Sequence, residues 1–193
     1  MVKQRLLEEQ GYLCCYTGRR IDETGSHIER LKPQAACANH EDIAYDNMLA
    51  AFPGAGQHCE FGAVAKRDWN DPTLMVSPLH GGCEARFRFT QFGKIKAAPD
   101  DQGAAETLGR LKLDHDTLTE WRSRAIVGAL FPKGRGLSEA QLQKVATGYC
   151  TRDRHTQQFY PYCFVIKHVA YDLLRRRDQE RKKQAGSRQA KST

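Results

Sequence analysis

The feature that most restricts this chain is a polar turn, Asp22-Glu23-Thr24-Gly25-Ser26, followed at once by a short run, His27-Ile28-Glu29-Arg30-Leu31, that Lys32-Pro33 ends. Glycine and small polar residues reverse a chain, and proline cannot donate to a ladder. The run is therefore a short extended segment with turn chemistry on both sides. Arg19-Arg20-Ile21 precedes the turn, and Ile43 to Phe52 follows a polar loop, so a small hairpin is predicted. In a strand, residues i and i+2 share a face. His27 and Glu29 then point the same way, and Asn47 lies at or near the partner strand.

The other elements are also short. Val2 to Gln10 reads as a helix ended by Gly11, Pro53 to Gln57 as a loop, and Phe61 to Trp69 as helical. Met75 to Leu79 and Arg86 to Thr90 read as strands, and Gln91 to Lys94 as the turn before Ile95. Helices follow at Ala104 to Leu111, from the Thr117-x-x-Glu120 pattern to Leu130, and from Ser138-x-x-Gln141 to Thr147. A last helix is predicted from Phe159 to Leu174. The fold class expected is α+β: a small β-hairpin core over 1–72, a β element with a helical extension over 73–174, and a disordered basic tail over 175–193.

The net charge of +7 is unevenly placed. Arg175 to Thr193 holds eight basic and two acidic residues, a net +6, so the other residues, 22 basic against 21 acidic, carry only +1. Such a tail suits sequence-independent contact with a polyanion, and equally a solvated helix end. No apolar run is long enough for a membrane span, and Met1 to Glu9 has no apolar core of a signal peptide. The expectation is a cytoplasmic chain whose seven cysteines are metal ligands or core thiols, not disulfides.

The polar residues of the first third suggest a chemistry. Hydrolysis of a phosphodiester needs a base near neutral pH, and imidazole is suited to that role. It also needs a hard cation on oxygen or imidazole ligands, Mg²⁺ or Mn²⁺, to stabilise charge on the phosphate. His27 is the candidate base, Glu29 a metal ligand, and Asn47 an amide that orients the imidazole. Lys66 completes the candidate catalytic set. His58 is a second candidate metal ligand, and Arg30, Lys32 and Arg67 are candidate nucleic-acid contacts. Cys14, Cys15 and Cys59 are candidate ligands of a structural Zn²⁺. Arg86 and Arg88, His80 with Cys83, and His40, His115, His155 and His168 read more simply as surface, capping or packing residues.

The motifs Leu13-Cys14-Cys15-Tyr16-Thr17-Gly18-Arg19-Arg20-Ile21, His27-Ile28-Glu29 with Lys32-Pro33-Gln34, Tyr45-Asp46-Asn47-Met48-Leu49, and Cys59 with Gly62-Ala63 and Lys66 occur in an order that resembles the HNH endonucleases of the Septu/retron-associated, PtuB-like family. The likeness continues through Val76-Ser77-Pro78-Leu79 and Cys83 to Phe87 and covers roughly residues 1 to 130. It implies a ββα-metal nuclease core and antiviral defence. The implied partners are a PtuA-like ABC/SMC-type ATPase, DNA and, in some members, a retron reverse transcriptase with its DNA. It assigns His27 as base, Glu29 as metal ligand and Asn47 as the middle residue of the signature. The chain departs from the family at Arg30, where members often have a second histidine, and from many HNH proteins at Ser26, where they have Asp. In a Cys-x-x-Cys-Asn-x-x-Lys frame running from Cys59 to Lys66, the second Cys is Gly62 and the Asn is Ala63. An RNase on the same fold and a non-catalytic adaptor docking through residues 104–174 are the alternatives.

Overall fold

The computed structural model describes residues 1–189. The expected hairpin forms. Strand β1 (His27–Arg30) pairs antiparallel with β2 (Met48–Ala51), His27 opposite Ala51 and Arg30 opposite Met48. Helix α1 (Val2–Glu9) packs on β2, and Gln10 ties the two together: its amide accepts from the Ala50 N–H at 2.7 Å and donates to the Ala50 carbonyl at 2.8 Å. Leu13 and Arg20 form an isolated bridge around the turn Cys14 to Gly18. Loop 53–57 lies directly against the turn before β1. A Cβ on Gly54 would sit 1.9 Å from the Thr24 carbonyl, so only glycine lets these backbones approach.

Two expectations are corrected in this half. The helix predicted over Phe61 to Trp69 is a single turn, α2 (Ala63–Lys66), because Gly62 before it and Arg67 after it both have positive φ. The segment before β2 is not extended: Glu41–Ile43 and Tyr45–Asn47 are 3₁₀ turns, and Asn47 is the last residue before the strand.

The second sheet is β3 (Phe87–Phe89) against β4 (Ile95–Ala97), with Phe87 opposite Ala97. Phe87, Phe89 and Ile95 are buried while Arg88 and Lys96 face outward, as the alternation requires. Met75 to Leu79 is not a strand. The Val76 N–H bonds the Thr107 hydroxyl at 2.8 Å instead of a neighbouring strand. Arg86 forms an ion pair with Asp101, which also caps α3 (Gln102–Arg110) by accepting from the Ala104 N–H at 2.8 Å.

Helix α4 (Asp116–Leu130) is capped by the His115 ring, which accepts from the Thr117 N–H at 3.2 Å, and not by the Thr117–Glu120 box. The Ser138–Gln141 box does form and opens α5 (Glu139–Gly148). Helix α6 (Cys163–Gln189) packs on α4 and α5.

The basic segment expected as a disordered tail continues α6 to Gln189. Pairs along the helix (Asp172 with Arg175, Asp178 with Lys182) and from Arg181 to Glu139 of α5 offset its like charges. Ala190 to Thr193 lie outside the described residues. No described helix is long and apolar enough to cross a membrane.

One hydrophobic core runs through both parts of the chain. It contains Leu6, Leu7, Ile21, Ala50 and Ala51 from the first, and Phe87, Phe89, Leu118, Ile126, Leu130, Val165, Ile166 and Val169 from the second. Full burial of each large aliphatic side chain stabilises by roughly 1.5–3 kcal/mol. The Arg19 guanidinium joins the halves, 4.2 Å from the Phe52 ring centroid and 4.3 Å from that of Trp121 on α4. The residues before α6 return to the N-terminal loop, where the Phe159 N–H bonds the Gly11 carbonyl at 3.0 Å and the Tyr162 N–H bonds the Gly18 carbonyl at 2.8 Å.

Candidate active site

Strand β1 places His27 and Glu29 on one face, and α2 brings Lys66 to them. The His27 Nδ1 lies 2.6 Å from the Pro53 carbonyl oxygen. A carbonyl only accepts, so Nδ1 carries the proton and the neutral ring keeps its lone pair on Nε2. Glu29 Oε2 faces that nitrogen at 3.6 Å, longer than a hydrogen bond and close enough for strong electrostatic coupling. The facing Glu29 carboxylate raises the proton affinity of His27 above its ordinary value. Partial burial opposes this, and the Pro53 carbonyl adds to it.

The other carboxylate oxygen of Glu29 is occupied. The Lys66 ammonium lies 2.9 Å from Oε1, and the Tyr16 hydroxyl donates to the same oxygen at 3.2 Å. Lys66 also donates to the Arg30 carbonyl at 2.9 Å. Side-chain exposure rises along this row, from 1% at Lys66 through 12% at Glu29 to 38% at His27. Lys66 is thus the buried anchor and His27 the group that meets solvent. Burying an ammonium is costly unless it is paired and hydrogen-bonded, and Lys66 is both.

Asn47 does not touch the imidazole. Its side-chain oxygen accepts from the Lys32 N–H at 2.8 Å, and its amide donates to the carbonyls of Lys32 at 3.1 Å and Glu41 at 3.0 Å. It fastens the connection between β1 and β2, and the orienting role expected of it falls to Pro53.

The candidate nucleic-acid contacts separate. Arg30 donates through Nε to the Asp42 carbonyl at 2.8 Å, and Lys32 is ion-paired with Glu41, so both brace the same connection. Arg67 is exposed beside α2. His58 is exposed in the loop before Cys59.

The candidate zinc ligands have their own setting. Cys14 is buried, and its sulfur accepts from the Phe52 N–H at 3.3 Å. Burial pushes its thiol up, but hydrogen bonds from the Cys15 thiol, the Phe52 backbone and Thr17 outweigh that and bring it down to about 6. Burial and the neighbouring Cys14 push Cys15 well above the thiol range. The Cys59 thiol is directed at the Phe61 carbonyl, 3.2 Å away. Thr17 is buried, and a Cβ on Gly62 would sit 3.6 Å from its methyl group. Gly62, where the frame lacks its second cysteine, therefore neighbours Thr17, and the two meet through carbon.

Among the described residues, no group of three or more His, Cys, Asp or Glu side chains is placed to hold a metal ion. Glu29 Oε2 nevertheless suits a hard cation that brings other ligands with it. Mg²⁺ is commonly held by one or two carboxylates, with substrate phosphate oxygens and water filling its shell. A single carboxylate does not form a metal site by itself.

Two participants were not anticipated from the sequence. Pro53 acts through a backbone carbonyl, which no side-chain pattern reveals. Tyr16 follows two cysteines in a turn, and only the fold brings its hydroxyl to Glu29. Comparison with known proteins finds no family model that matches the chain and no match among curated proteins.

Proposed function

We propose that this protein hydrolyses phosphodiester bonds of nucleic acid, with His27 as general base. The observation that carries the reading is the imidazole fixed by the Pro53 carbonyl with its Nε2 3.6 Å from Glu29 Oε2. In that state Nε2 takes a proton from the attacking water, and positioned bases of this kind typically contribute about 10²–10⁴ in rate. Glu29, held by Lys66 and Tyr16, keeps its free oxygen aimed at the same point. Glu29 would be the residue to hold a divalent ion (Mg²⁺ or Mn²⁺), which would supply charge neutralisation at the scissile phosphate.

We read the polymer as DNA and the setting as antiviral defence beside a PtuA-like ATPase, with a retron reverse transcriptase as a further partner. The motif resemblance alone supports these finer statements. The test mixes the protein, with and without a PtuA-like ATPase, with plasmid DNA or labelled RNA in Mg²⁺ or Mn²⁺. The expected result is DNA cleavage that EDTA and His27→Ala both abolish. Cleavage that survives both overturns the assignment of base and metal, and preferential cutting of RNA changes the substrate.

A further inference from the structure

We infer that an apolar cavity beside the candidate active site binds a medium-chain carboxylate, with the head group on the buried Arg122 guanidinium and the chain along the cavity walls. The inference is independent of the proposed hydrolytic role.

The cavity has a volume of about 380 Å³ and lies between the β3–β4 sheet, the end of α3, the start of α6 and the turn Cys14 to Gly18. Val76, Phe87, Phe89, Ile95, Leu111 and Phe164 supply its apolar wall. Leu79 and Glu84 also line it, and both are exposed, so they mark its mouth. Ligand pockets are of this kind: about 300–1,000 Å³, mostly apolar, with a few polar groups that fix orientation. An apolar cavity of about 150 Å³ holds benzene. Decanoate, with about twice the heavy atoms of benzene, is within the capacity of this one.

One polar group in the lining sets the class of ligand. Arg122 of α4 lines the cavity, carries a full positive charge and is only 2% exposed. Its Nε donates to the Gly93 carbonyl at 2.7 Å, and its Nη2 donates to the Leu113 carbonyl at 2.9 Å and the Thr119 hydroxyl at 3.4 Å. All three acceptors are neutral, and Nη1 takes part in none of these bonds. Asp114, the acidic residue whose charge reaches the guanidinium, is itself exposed to solvent. Burial brings the proton affinity of Arg122 down to about 10, with Tyr162 and Asp114 opposing. A buried charge is costly unless it is paired, and neutral acceptors leave the net charge of Arg122 in place.

A neutral apolar molecule would fill the walls and leave that charge uncompensated. A carboxylate on Nη1 supplies the missing negative charge and makes a charge-assisted hydrogen bond, about twice as strong as a neutral one. Glu84 at the mouth repels a carboxylate left there. The head group therefore goes inward to Arg122, and the chain lies along the wall toward Leu79.

The experiment titrates decanoate into the protein below the concentration at which it forms micelles. The methyl signals of Val76, Ile95 and Leu111 are followed by ¹H–¹³C NMR. Decanol is the neutral control of the same chain length. The wild type should show saturable shifts of these signals with decanoate and bind decanol at least about tenfold more weakly. Arg122→Met should bind the two equally. Val76→Phe, which narrows the cavity and leaves Arg122 in place, should lose most of the decanoate binding.

Decanol binding to the wild type as tightly as decanoate overturns the inference, and so does the absence of saturable shifts at the three methyl-bearing residues. A folded Arg122→Met protein that still prefers decanoate, or a folded Val76→Phe protein that binds it as wild type does, overturns it as well. Arg122 also ties the β3–β4 turn to α4. Should circular dichroism show that Arg122→Met does not fold, the wild-type comparison of decanoate with decanol decides alone.

Discussion

Asn47→Ala separates two roles for the middle residue of the site. An amide that orients the imidazole would, when removed, cost activity and leave the fold alone. The observed Asn47 instead makes three hydrogen bonds to the backbone of the β1–β2 connection, at 2.8, 3.1 and 3.0 Å. Each such bond contributes a net of about 1 kcal/mol, so the substitution should cost about 3 kcal/mol. For a chain of this size that corresponds to a fall in Tm of about 6–12 °C. Asn47→Asp should be at least as harmful, because it keeps the acceptor for Lys32 N–H and turns a carboxylate toward two carbonyls. Differential scanning calorimetry gives the stability, and ¹⁵N NMR of the histidine rings reports the His27 tautomer. The expected outcome is a large loss of Tm with Nδ1 of His27 still protonated by its bond to Pro53. A Tm within about 2 °C of wild type, or a changed tautomer with unchanged Tm, would refute the structural role argued for Asn47.

Three further outcomes are expected. Gly93 has φ of +79°, and a Cβ there would lie 2.2 Å from the Thr119 carbonyl and 2.6 Å from the Ser123 nitrogen of α4. Gly93→Ala should therefore destabilise by at least about 3 kcal/mol in urea unfolding, whereas Gly109→Ala, with open space around its Cβ, should not. His27→Ala should leave Tm nearly unchanged, since 38% of the side chain is exposed, so any loss of cleavage is chemical and not a folding defect. The Arg86 guanidinium and the Ala104 N–H hold the Asp101 carboxyl down at about 2, against an ordinary value of 3.8. Its charged form is the one the fold favours, so its contribution is complete above the ordinary value and lost as pH falls from there toward 2. Acid unfolding of Asp101→Asn compared with wild type reads this out as a flatter dependence on pH in that window.

Much of the site's front face was legible in the sequence. Turn residues before His27 and proline after Leu31 define a short strand, and the period of two puts His27 and Glu29 on one side of it. The Ser138–Gln141 cap and the alternation of Phe87 to Phe89 were legible for the same reason: each depends on residues a few positions apart. The extent of α6 was misread because high charge density resembles disorder until the pairs along the helix, and the one reaching α5, are counted.

What the tertiary structure alone decided is everything behind that face. Lys66 is a surface residue by type, and its burial against Glu29 exists only because α2 docks on the hairpin. Pro53 orients His27 through a carbonyl that any residue would carry. Asn47 serves the backbone of the connection and not the imidazole. The sequence determined which reactive groups share a strand face, because side-chain direction in a strand follows from local geometry. The fold determined which oxygen of Glu29 is free and which nitrogen of His27 is basic, because those depend on partners brought together from distant positions in the chain.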